Sequence, residues 1–265
     1  MISFKKLIPV FIFIGFLILV LLSRQALMDL LIENGITSYT THMLLSTAVN
    51  ILIVIVSILF IRKHKLQYLA GIGKTKLTRP LLLLFPFYIV LLNLVMLDEV
   101  PTENLLLNLF VLFVSCISIG ISEELSLRGF LQSYIIKYFG NSKRSIILAV
   151  IAAALIFGVI HLIKFDKGAY GELAQVFYAT FIGVMFGMLL LVTKRLAPLI
   201  IVHAIIDFVA KLDTMGIPNY IEGSGQTSSA MDAMITALVI LPCFVYGMII
   251  SRRITTGTVI SLKTN

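Results

Sequence analysis

Charge is what this sequence has least of. Only 13% of its 265 residues are Asp, Glu, Lys or Arg, while 59% are hydrophobic; a soluble domain carries about a quarter charged and about half apolar residues. A water-soluble fold is thereby excluded and an integral membrane protein is expected. Cysteine is nearly absent. Cys116 and Cys243 both fall in apolar runs, where they read as small packing residues, so there is no disulfide framework. The net charge of +8 comes without the aromatic–basic pattern of a nucleic-acid module, and no nucleic-acid partner is expected. No small-x-small cleavage site follows the first charged and apolar stretch: Lys5-Lys6 and Leu7 to Leu22 lead into Ser23-Arg24-Gln25-Ala26, which predicts an uncleaved first span. Linkers, a second domain and internal repeats are also missing, and residues 1–265 read as a single membrane domain.

Eight apolar runs are present, at about Leu7–Leu22, Met43–Ile61, Leu81–Met96, Asn104–Ile121, Ser145–Ile163, Leu173–Val192, Ala197–Ala210 and Met231–Ile250. Each approaches the ~20 residues a bilayer needs, the seventh being the shortest. The fold class predicted is all-α and polytopic, with about eight transmembrane helices. If the runs alternate in direction, 17 of the 21 Lys and Arg fall on one side and Arg24, Lys164, Lys167 and Lys211 on the other. That bias puts both termini in the cytoplasm. A multi-pass protein of a cell membrane follows, and loop lengths and composition fit a bacterial plasma membrane.

Against that apolar background the few charges stand out. Ser122-Glu123-Glu124 and Arg128 lie at the end of the fourth run. Ionisable groups beside hydrocarbon cost roughly 2.5–3.5 kcal/mol each on insertion scales, so they mark a site unless water reaches them. On a helix Glu124 and Arg128 share a face while Glu123 points about 100° away. The two carboxylates therefore differ in environment, one held by the arginine and one free to serve as a general base. A solvated salt bridge on an interfacial helix is the alternative. Leu127, Phe130, Leu131, Tyr134, Ile135 and Tyr138 continue an amphipathic period toward a stop at Gly140-Asn141, so the fourth run extends to Phe139 as one helix, or as two joined near Gly120. Two histidines lie in other runs, His161 four residues after Phe157 and His203 four before Asp207. A carboxylate at Asp207 can fix the imidazole tautomer of His203. Gly71, Gly73, Lys74 and Thr75 imitate part of a phosphate-binding loop, but Tyr68 replaces its first glycine and the stretch reads as a basic loop. Gly183 and Gly187 suit close helix packing.

Glu-Glu-x-x-x-Arg, Phe-x-x-x-His and His-x-x-x-Asp on successive apolar runs resemble the CPBP family, the CAAX proteases and bacteriocin-processing enzymes also called Abi. The resemblance covers about residues 104–210, leaving 1–100 as variable N-terminal helices. It implies an intramembrane endopeptidase of the glutamate type acting on a membrane-associated peptide or protein, within the lipid bilayer, without a cofactor. Carried over by position, Glu123 or Glu124 activates water, Arg128 and Phe157 position the motifs, His161 and His203 bind water and polarise or protonate the amide, and Asp207 orients His203. The family also admits Asn at the last position; an ionised Asp207 cannot donate to an oxyanion, so the oxyanion donors are open, with His203 and backbone amides as candidates. Zinc held by Glu123, His161 and His203 is the metal alternative, although no His-Glu-x-x-His is present. Two other classes compete, a non-proteolytic scaffold or immunity protein of the same fold and a proton-coupled transporter. The latter lacks an inverted repeat and paired broken helices. Counting along the runs puts Glu123 near the cytoplasmic end, His203 about 10 Å inside and His161 toward the outer end. Bringing them together requires the carboxylates to be drawn inward by a long, tilted fourth helix, or a fifth helix that starts deeper. A cavity open to the cytoplasm is expected.

Overall fold

A computed structural model describes residues 4–163, 168–218, 228–255 and 257. Among them the chain is helical with no strand. It runs through α1 (Ile8–Glu33), α2 (Tyr39–Lys63), α3 (Phe87–Val95), α4 (Leu105–Glu124), a π-helical segment (Leu125–Gln132), α5 (Ser133–Phe139), α6 (Lys143–Ile160), α7 (Gly168–Thr193), α8 (Ala197–Ala210) and α9 (Ala230–Ser251). This is a polytopic membrane protein. Among the described residues, six stretches are long and apolar enough to cross a bilayer, namely α1, α2, the continuous Leu105–Phe139, Lys143–Ile163, α7 and α9. The third and seventh apolar runs form shorter helices. Pro86 divides the third, separating a 3-10 turn over Pro80–Leu84 from the nine residues of α3, because proline has no N–H to continue the ladder. With 14 residues, α8 is about 21 Å long; it packs on both α3 and α4.

The core is built around α7. Of its apolar window 78% is buried, against 17% for α1, so α7 faces protein on nearly all sides whereas α1 faces lipid. Lipid tails give helices no hydrophobic reason to associate, so close approach depends on small residues. A Cβ on Gly183 would lie 2.9 Å from that of Ala154 in α6, and one on Gly247 of α9 would lie 3.1 Å from Met185 Cα in α7. At Gly187 it would overlap the Gln132 side chain, whose amide instead donates to Gly187 O at 3.1 Å.

The segment after Glu124 is not an interfacial amphipathic helix. All eight residues from Leu125 to Gln132 are buried, because α2 covers one side and α6 another. Phe13 of α1, Phe60 of α2, Phe130 and Tyr134 close an aromatic cluster, with the Phe13 and Phe130 centroids 4.4 Å apart. Gly120 is no joint. Its bare Cα lets α4 approach α8, and a Cβ there would lie 3.0 Å from Ile200 O. The widened turn lies immediately after the two glutamates, a place where such bulges often accompany function.

One end of the bundle collects the cationic segments. Tyr134 donates to Lys6 O (3.0 Å), Lys137 to His64 O (2.8 Å), Lys143 to Arg252 O (3.0 Å) and Arg195 to Thr75 O (3.1 Å). These contacts tie together the N-terminus, the 62–79 loop, the 137–144 turn, the 194–195 turn and the end of α9. His64 there is pushed below its ordinary value by burial and by Lys63 and Lys137. Lys164, Lys167 and Lys263, counted in the charge bias, lie outside the described residues.

Candidate active site

The site forms where α4, α6, α7 and α8 meet. From Tyr134 at the cationic end, ten residues of helix lead back to Glu124, so the carboxylates sit roughly 15 Å inside the bundle. The long fourth helix therefore draws them inward, and α6 need not start deeper than Lys143.

Glu124 is fully buried and Arg128 is 3% exposed; Arg128 Nη1 donates to Glu124 Oε1 at 2.9 Å. This is no solvated surface pair. Phe157 of α6 and Phe186 of α7 flank the guanidinium, with ring centroids 5.4 and 5.5 Å from its carbon. Weakly hydrated and planar, an arginine tolerates such packing better than a lysine would. The same Glu124 oxygen lies 2.8 Å from His203 Nδ1. An ionised carboxylate only accepts, so Nδ1 carries the proton in that contact. The carboxylate in hydrogen-bond contact with His203 is thus Glu124. Asp207 lies 3.9 Å from Nε2 and also 3.9 Å from Lys211 Nζ.

Glu123 occupies a different environment. Its side chain is 31% exposed and its Oε2 is 3.5 Å from His203 Nε2. The imidazole thus stands between the two glutamates, Nδ1 toward the buried one and Nε2 toward the accessible one. Phe186 packs edge-on against the His203 ring at 5.9 Å. It touches both Arg128 and His203, yet nothing in an apolar run distinguishes it from its neighbours.

Glu123, Arg128, Phe157, His161, His203 and Asp207 all line one cavity of about 840 Å³. His161 does not join the carboxylate cluster. Its Nδ1 lies 2.9 Å from Phe157 O and its ring packs on Phe157 at 4.6 Å. Among the described residues, no three of His, Cys, Asp or Glu converge as metal ligands; Glu123, His161 and His203 do not fit a shared zinc ion. The cavity lining also includes Arg24, Gln25, Asp29 and Lys211, and no described residue of the cationic end. The expectation of a cavity open toward that end is therefore corrected. Its polar lining continues toward the opposite end.

This arrangement can hold a water molecule against an accessible carboxylate while a buried ion pair fixes the neighbouring imidazole. Comparison with curated proteins gave no match, and neither did comparison with solved structures. A family model described as type II CAAX prenyl endopeptidase Rce1-like matches residues 105–209, the stretch from the start of α4 to the end of α8 that supplies Glu123, Glu124, Arg128, Phe157, His161, His203 and Asp207. By that match, with the three motifs brought onto one cavity, this 105-residue segment of the chain is similar to the CPBP/CAAX protease family.

Proposed function

We propose that the protein is a glutamate-type intramembrane endopeptidase of a bacterial plasma membrane, cutting a membrane-associated peptide or protein, with Glu123 as general base. The observation that carries this reading is the asymmetry of the two glutamates around His203. Glu124 is fully buried and bound to Arg128, whereas Glu123 is accessible from the cavity. Glu123 takes a proton from water as the water oxygen bonds to the scissile carbonyl carbon. The carbon–nitrogen bond then breaks and the proton passes to the leaving amine, with His203 Nε2, on the Glu123 side of the ring, within reach to relay it. Glu124 orients the imidazole through Nδ1, and Arg128 holds the Glu124 carboxylate in place. Asp207 borders Nε2 and links the cluster to Lys211. His161, packed on Phe157, faces the path along which the peptide lies. Each step is proton transfer or amide addition and elimination, and no cofactor is required.

The family description supplies a probe, a prenylated, fluorescence-quenched peptide with a free C-terminus. Full-length protein in proteoliposomes is expected to cleave it once near that terminus, with both fragments identified by mass. Intact probe after prolonged incubation with folded protein would count against proteolysis and favour the scaffold role.

Orientation follows from the cationic end. Lys and Arg favour the cytoplasmic side, so the loops joined by Thr75, Lys137 and Lys143 face the cytoplasm and the cavity's polar lining leads to the other side. Both native cysteines are buried, which keeps background labelling low. A membrane-impermeant maleimide is expected to label Thr102→Cys in intact cells, and Lys74→Cys only after permeabilisation. The reverse pattern would invert the topology.

A further inference from the structure

Positive charge goes unanswered at the cationic end of the bundle. The segments that meet there, residues 1–7, 62–79, 137–144, 194–195 and 252–265, contain no Asp or Glu. Lys137, Lys143 and Arg195 accordingly donate to backbone carbonyls. Arg79, Lys194 and Arg253 do not: among the described residues their side chains make no hydrogen bond and no ion pair. They come from three separate segments, yet all three line one hollow of about 200 Å³. Its apolar floor is made by the buried Leu191, Val192 and Ile254. Orientation in the membrane accounts for cations in these loops, but not for their convergence on one hollow.

The backbone is shaped to gather them. Arg79 and Lys194 both stand in the left-handed region, at φ 51° and 63°, which residues with long side chains seldom adopt. Residues 74–79 are clasped to the end of α7. Thr78 N donates to Thr193 O at 3.0 Å, Thr78 Oγ1 to Val192 O at 2.7 Å and Thr75 Oγ1 to Lys194 O at 2.7 Å. Cations near a helix C-terminus commonly answer such carbonyls. Here amide and hydroxyl donors already do, and the three cations are left for a ligand.

Location selects that ligand. The spanning helices α7 and α9 end at Thr193 and Ser251, so the hollow lies at the membrane surface. Leu81, two residues after Arg79, is 78% exposed and carries this surface into the lipid. The hollow is smaller than the roughly 300–1,000 Å³ of most small-molecule sites, but it admits one phosphate group among three cations. Guanidinium groups match phosphate oxygens in pairs. We propose that Arg79, Lys194 and Arg253 bind the phosphate of an anionic glycerophospholipid whose acyl chains run past Leu81. The lipid then bridges the 62–79 loop, the end of α7 and the end of α9, bracing the helix that carries Phe186. No residue of the catalytic cluster takes part, so the site stands independently of the protease reading.

The test titrates the delipidated full chain, in neutral detergent, with phosphatidylglycerol, phosphatidylcholine or glycerol phosphate. Native mass spectrometry reads binding and thermal melting reads stability. One phosphatidylglycerol is expected to bind about tenfold or more tighter than phosphatidylcholine and to raise Tm, since a ligand of the folded state stabilises it. Glycerol phosphate, which has the phosphate but no acyl chains, should bind about tenfold or more weakly than the lipid. Arg79→Gln, Lys194→Gln and Arg253→Gln combined should abolish both the preference and the rise in Tm. Lys74→Gln, Lys76→Gln and Arg144→Gln combined remove the same charge from outside the hollow and should keep the affinity within about twofold. Each of Arg79→Gln, Lys194→Gln and Arg253→Gln alone should weaken phosphatidylglycerol about fivefold, which keeps the test decisive if the first combination does not fold. Equal losses in the two combinations, or single variants with wild-type affinity, overturn the site in favour of diffuse attraction to the surface. Glycerol phosphate binding as tightly as the lipid would overturn the lipid assignment and make the hollow a site for a soluble phosphate.

Discussion

Glu124→Ala is expected to lose folded protein where Glu123→Ala does not. The Glu124 side chain is fully buried, and it is the ion-pair partner of Arg128, itself 3% exposed. Removing one member of a buried pair strands the other charge, at a cost of about 3–5 kcal/mol. Arg128 cannot lose its proton in response, and the rings of Phe157 and Phe186 that flank it offer no replacement for the carboxylate. His203 also loses its 2.8 Å contact. Arg128→Ala should do comparable damage for the opposite reason, leaving a bare carboxylate. Thermal melting followed by size-exclusion chromatography reads the effect. Replacing both partners at once, Glu124→Leu with Arg128→Met, should recover much of the stability, since apolar substitutes for a buried pair are often neutral, while activity stays lost. Wild-type melting of Glu124→Ala would show that the pair does not hold the site together.

Glu123→Gln is expected to melt close to wild type and to lose roughly 10²–10⁴-fold in kcat, the usual weight of a positioned general base. The side chain is partly exposed, so its charge can be removed without leaving an unsatisfied partner in the core. An amide of the same shape keeps the cavity filled but cannot take a proton from water. Binding of the probe should change little, so the loss falls on kcat and leaves KM near its wild-type value. Should Glu123→Gln retain full activity while a folded Glu124→Gln loses it, the two roles are reversed. Unchanged processing in both would favour a scaffold that uses the fold without the chemistry.

Some of this was legible because charge is so scarce. In a chain with 13% charged residues, Glu123, Glu124, Arg128 and Asp207 stand out against apolar runs. The pairing of Glu124 with Arg128 follows from a spacing of four on a helix, and the observed 2.9 Å contact has that register. The gathering of cationic loops at one end likewise follows from alternating runs.

Other features depend on contacts between segments far apart in sequence. Asp207 is four residues from His203, yet Glu124, 79 residues away, makes the hydrogen bond. Local spacing puts Asp207 within reach, but the approach of α4 to α8 over Gly120 brings a better-placed oxygen. Periodicity from Leu127 to Tyr138 read as amphipathic because it sees only one helix; α2 and α6 bury both sides. His161 shares the cavity without sharing the carboxylate cluster, a distinction made by how α6 sits on α7. The sequence by itself determined the solvent of this protein, its helical class and the residue types of its site, since each depends on composition or on spacing within one helix. Which carboxylate grips the imidazole, which stays open to the cavity and which end that cavity leads to were decided by helix packing, because lipid enforces no register between helices and only their interlocking surfaces do.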